Sequence, residues 1–89
     1  KKGKTAAAVP EGVDAGLLAA LKAERLRLAQ EENVPAYIVF SNATLTDMAA
    51  KCPRTMEEFL EVSGVGAVKA QRYGQAFLQA IADWRQDDN

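Results

Sequence analysis

Histidine is absent from these 89 residues, and cysteine occurs once, at Cys52. Those two scarcities exclude the usual structural zinc spacings, a Ser/His/Asp triad and a Cys/His pair, and leave only carboxylates to hold a metal. No catalytic residue, metal site or cofactor is expected. A single thiol closes no internal disulfide, which suits a reducing compartment. Long apolar runs are missing as well: none reaches the ~18 residues of a membrane helix, and there is no signal-peptide core. The expectation is a soluble, cytoplasmic protein without membrane contact. A second β-rich run is also lacking, so a strand at Ile38–Val39–Phe40 would leave its backbone unpaired.

What is present is ordinary for one compact domain and too little for two: 48% hydrophobic and 26% charged residues. The opening KKGKTAAAVPEG is basic, Ala-rich and without apolar periodicity, and reads as a flexible linker over 1–12 joined to a piece of a longer protein. The folded domain is placed at 13–86, with a short tail at 87–89, and is expected to be monomeric. Net charge is −1, but Lys1, Lys2 and Lys4 supply three of the eleven basic residues. Residues 5–89 therefore carry eight basic against twelve acidic groups, net −4. Nucleic-acid binding would need a local patch, because the average field opposes it.

Five helical elements are predicted. Asp14 N-caps the first, which runs to about Glu32 with Leu17, Leu18, Leu21 and Leu28 in one arc and Ala29 at its edge. Arg25 falls inside that arc and must snorkel out or be paired with a carboxylate or main-chain carbonyls, and reads as a structural tie. Pro35 bars Val34 from helix, and YIVF forms a short helical or 3₁₀ turn. Ser41 caps a helix through NATLTDMAAKC that Pro53 stops, with Leu45, Met48, Ala49 and Cys52 inward. Thr55 and Glu58 have capping-box spacing; Met56, Phe59 and Leu60 form the inner face of the fourth element, with Gly64 as its stop. The last helix runs from Gly66 or Ala67 to about Arg85, with Tyr73, Phe77, Ala80, Ile81 and Trp84 along its core stripe. Gly74 sits mid-helix, where it implies close approach of another backbone, that of the first helix. The class is all-α, a small five-helix orthogonal bundle of the SAM-like kind.

SGVG at 63–66 poses a choice. Amides around a Gly-x-Gly corner at a helix N-terminus can meet a phosphate, as in half of a helix-hairpin-helix, yet two helices also turn a corner this way without a ligand. Gly64 and Gly66 serve the turn in either case, with Val65 as its inward plug.

The stretches VPAYIVFSNATLTDMAAKCP and TMEEFLEVSGVGAVKAQRYGQAFL closely resemble the helicase-and-RNase-D C-terminal (HRDC) domain, the helical module at the end of RecQ-type DNA helicases and ribonuclease D. The likeness covers about residues 14–85 and leans to bacterial RecQ. It implies a non-catalytic accessory domain that helps a helicase engage single-stranded or branched DNA weakly, or that contacts the helicase core or another protein, working at the bacterial nucleoid. Any ATPase motor would lie upstream. Under this resemblance Tyr37 takes the aromatic position that contacts DNA in some bacterial members, and Lys69 and Arg72 fall where the family often places cations after its glycine turn. A base stacked on Tyr37 would contribute ~1–3 kcal/mol. Lys51 and Arg54 extend the candidate patch, with the Gly64 and Gly66 amides. Against them stand Glu57, Glu58 and Glu61, an acidic surface suited to protein docking or autoregulation. The ribonuclease D context is the remaining alternative.

Overall fold

The computed structural model describes residues 12–87. The linker expected at 1–12 and the tail expected at 87–89 lie outside them, save for Gly12 and Asp87. Five helices follow in order: α1 (Ala15–Glu32), α2 (Ala36–Val39), α3 (Asn42–Lys51), α4 (Met56–Phe59) and α5 (Ala67–Asp87). There is no strand among the described residues. The bundle is built on the two long helices, α1 and α5, which pack against each other while the three short ones fill in around them.

Local chemistry sets the ends. The Asp14 carboxylate accepts from the amides of Gly16 and Leu17, at 2.7 and 3.1 Å, and so opens α1. Asn33 closes that helix in the left-handed region, its N–H bonded back to Ala29 and Gln30 carbonyls. Ser41 Oγ accepts from Thr44 N to start α3, and Cys52, also left-handed, ends it just before Pro53. Thr55 Oγ1 accepts from Glu58 N at 3.1 Å. The return bond of the capping box is displaced by one residue, because Glu58 Oε1 accepts from the N–H of Arg54 at 2.8 Å.

Phe40 is the node of the core. Its ring meets Phe59, Tyr73 and Phe77 edge-on, with centroids 6.1, 5.9 and 5.3 Å away. Leu17, Leu18, Leu21, Leu45, Met48 and Ile81 are among the residues buried around it. Arg25 Nη1 donates to the carbonyl of Phe40 at 3.0 Å, tying α1 to the α2–α3 junction.

Four details differ from the sequence expectations. The fourth helix is one turn only. Beyond Leu60 the chain tightens into bonds of the i−3 kind, Glu61 to Glu58, Val62 to Phe59 and Val65 to Val62, which rotate Val62 into the core at 2% exposure. Leu60 consequently points outward, 44% exposed. Val62 rather than Val65 is the plug of the corner, and Val65 is only half-buried. Gly74 admits not the backbone of α1 but the side chain of Met56: a Cβ there would lie 2.7 and 2.9 Å from its methyl and sulfur. Leu28, Ala80 and Trp84 are half-buried, since the crossing of α1 and α5 leaves the flanks of both stripes in contact with solvent.

Candidate nucleic-acid interface

Pro35 fixes the entry to α2, and the four-residue turn has two faces. Val39 and Phe40 go inward. Tyr37 and Ile38 go outward, with Tyr37 68% exposed. A tyrosine so placed has little packing reason for its ring, and its π face is open to a flat partner.

The N-terminal turns of α5 bring two cations to the same end of the bundle. Lys69 Nζ stands 5.9 Å from the centroid of the Phe40 ring, three residues beyond Tyr37. Arg72 reaches the C-terminal turn of α1, where its Nη2 lies 3.2 Å from Glu32 Oε1 and its Nε 3.4 Å from Oε2. Its guanidinium also lies 5.6 Å from the Tyr73 ring. Tyr73 Oη donates to the same carboxylate at 2.7 Å; burial, then this bond, pushes the phenol above its usual pKa. Arg72 is therefore held rather than waiting free, and a phosphate must compete with Glu32 for it.

The corner itself divides its two glycines. Gly64 has φ +88°, and a Cβ there would overlap Thr44 Oγ1 on α3. Gly66 has no neighbour within 4 Å of a notional Cβ and no left-handed φ. Its carbonyl accepts from Ala70 N at 2.9 Å, so it stands at the N-cap of α5 without a side chain to offer. The opening amides of α5, like those of α2, thus lack the side-chain acceptor that Asp14, Ser41 and Thr55 give α1, α3 and α4.

Lys51 is already engaged by α3 and by the corner. Lys51 Nζ bonds to Asp47 Oδ2 at 2.8 Å and to the carbonyl of Glu61 at 3.0 Å. Asp47 Oδ2 also accepts from Ser63 N at 2.7 Å, so the pair pins the corner to α3. The Lys51 bond, then that of Ser63, holds the Asp47 carboxyl below its ordinary pKa. Arg54 shares a concavity with Lys51, Cys52, Glu58 and Arg85. Arg85 lies 16 positions beyond Lys69, about 24 Å along the helix at 1.5 Å per residue. Glu57, Glu58 and Glu61 are exposed, with Glu58 occupied in part by Arg54 N–H. Cys52 is half-buried, its thiol bonded to Ala49 O at 3.2 Å and its pKa raised, chiefly by burial. Among the described residues no three His, Cys, Asp or Glu side chains converge as a metal site, and no helix is long and apolar enough to cross a membrane.

Sequence reasoning missed Glu32, Asp47 and Arg85. Glu32 meets Tyr73 across 41 positions, for which no local pattern exists. Arg85 left a signal: it follows Ile81 by four on the core stripe, so it had to sit at the edge of the packing.

The fold and site are those of a small all-helical domain with an outward aromatic turn and a glycine corner feeding its last helix. The family model of the HRDC domain matches residues 14–81, and the chain belongs to that family. It is 48% identical over 68 residues to the ATP-dependent DNA helicase RecQ of Pasteurella multocida, covering 76% of this chain and 11% of that protein. RecQ of Bacillus subtilis is 40% identical over 81 residues, 91% of this chain and 13% of that one. The ATP-dependent DNA helicase UvrD2 of Mycobacterium tuberculosis is 42% identical over 69 residues, 78% and 10%. The chain thus spans about a tenth of the length of these curated relatives. Among solved structures, HRDC domain 3 of D. radiodurans RecQ superposes with a TM-score of 0.71 at 43% identity, covering 73% of this chain and 86% of that one.

Proposed function

We propose that this HRDC domain is a non-catalytic module that gives a RecQ-type helicase a weak extra hold on single-stranded or branched DNA and thereby modulates its action. The observation that carries the reading is the outward Tyr37 ring, 68% exposed, at the same end of the bundle as Lys69. A base stacks on Tyr37, while Lys69, Arg72 and the uncapped amides after Gly66 meet the neighbouring phosphates. With two or three phosphates engaged at ~0.7 each, the logarithmic salt slope for a single strand is about −1.4 to −2. The hold is accordingly weak at physiological salt.

The test is a low-salt anisotropy titration of labelled oligo-dT with the 89-residue chain. Tyr37→Ala is expected to weaken binding about tenfold, in line with loss of ~1–3 kcal/mol of stacking. Absence of binding by the parent chain, or equal binding by the variant, would sink the reading. A second reading is favoured by the outward Leu60 beside Glu57 and Glu61: this acidic, partly apolar edge docks against the helicase core or another protein. Reversing Glu57 and Glu61 would then alter partner binding and leave the DNA titration of the chain no weaker.

A further inference from the structure

At the far end of α5 from Lys69, a concavity gathers Lys51 from α3, Arg54 from the α3–α4 loop and Arg85 from the last described turns, with Cys52 and Glu58 between them. We infer that this concavity is a second phosphate site for the nucleic-acid backbone, carried by Arg54 and Arg85 and separate from the Tyr37 end; it rests on the DNA reading above.

The lining holds three cations and one carboxylate in a chain whose net charge is −1. Lys51 contributes least, because Asp47 and the Glu61 carbonyl already occupy its ammonium. Arg54 forms no salt bridge with the described residues. Its backbone is anchored through its N–H to Glu58, so the side chain starts from a fixed point. Arg85, half-buried, also lines the concavity. Two arginines lining one concavity offer guanidinium forks that suit the oxygens of a phosphate diester. Cations at the ends of α3 and α5 also offset the helix dipoles, which accounts for Lys51 and Arg85 singly. It does not account for their meeting Arg54, which belongs to neither helix. The Cys52 thiol is pushed up by burial and then by the Asp14 carboxylate, with Arg54 acting in the opposite sense, so Asp14 as well as Glu58 opposes an anion here.

Lys69 and Arg85, one from each site, are about 24 Å apart along α5, farther than one phosphate group reaches. The chemistry recognised is a run of backbone phosphates, not a single ion. Glu58 sets the limit of the affinity, and its removal is expected to act in the opposite sense to removal of an arginine.

The experiment measures binding of labelled 20-mer oligo-dT by the 89-residue chain across 20–200 mM salt, for the parent and for Arg54→Glu, Arg85→Glu and Glu58→Gln. Circular dichroism checks each fold, and the two arginine variants back each other should one fail to fold. The expected result is about threefold weaker binding and a salt slope shallower by ~0.7 for either arginine variant, with Glu58→Gln binding about twofold tighter. Parent-like slopes in both arginine variants, with Tyr37→Ala still impaired, would overturn this site and leave the DNA reading standing. No binding by the parent would overturn both. Equal affinity for an oligo-glutamate of the same charge would overturn the assignment to nucleic acid.

Discussion

Gly64 and Gly66 look interchangeable in the sequence and differ completely in what they do. At Gly64 a side chain meets both a φ of +88° and the hydroxyl of Thr44. Gly64→Ala is expected to cost about 2 kcal/mol or more, from the left-handed conformation plus the displaced neighbour. For a domain of this size that lowers Tm by roughly 10 °C. Gly66→Ala should melt within a few degrees of the parent in the same calorimetric scan. Glu32 is the other telling residue, because it restrains Arg72. Glu32→Gln keeps an acceptor for Tyr73 and removes the charge. Exposed ion pairs contribute ~0–1 kcal/mol, so the variant should retain the parent's stability and bind oligo-dT about twofold to fivefold more tightly. Unchanged affinity would show that Arg72 does not touch DNA.

At the scale of elements, the corner between α4 and α5 is held from outside by Asp47 of α3. Its carboxylate binds Lys51 and the N–H of Ser63 with one oxygen. Because the folded-state pKa is depressed below that of an ordinary aspartate, the contribution of Asp47 to stability is fully present above the unfolded-chain pKa and is lost as pH falls through the lower folded pKa. Asp47→Ala should therefore destabilise the chain at pH 7 by about 1–2 kcal/mol, as expected for a hydrogen bond to a charged group. The difference between parent and variant in urea midpoint should shrink when the titration is repeated near pH 3. Helix identities and caps were legible beforehand because they are local: Asp14, Ser41 and Thr55 announce their helices within four residues. The length of α4 was not, since it depends on which valine the closed bundle accepts, and Val62 won that place over a fourth-helix turn carrying Leu60 inward. The neighbour of Gly74 was misjudged for the same reason, as Met56 reaches it only once α4 has packed on α5.

For the whole molecule, the family and the helical class were readable from two stretches of sequence, and the candidate site was readable only as a set of residue types. Lys69 lies against Phe40 and Arg72 against Glu32, whereas Arg54 shares a concavity with Arg85, which is about 24 Å along α5 from Lys69. Linear order alone does not say which of these basic residues share a surface. The net charge of −4 over residues 5–89 keeps any DNA contact dependent on local geometry and sensitive to salt. The most direct measurement is an amide chemical-shift map of the 89-residue chain titrated with single-stranded DNA at low salt. The account predicts shifts at Ala36–Phe40 and at Gly64–Tyr73, reversed by added salt. Shifts confined to Glu57–Glu61, or none at saturating DNA, would contradict it.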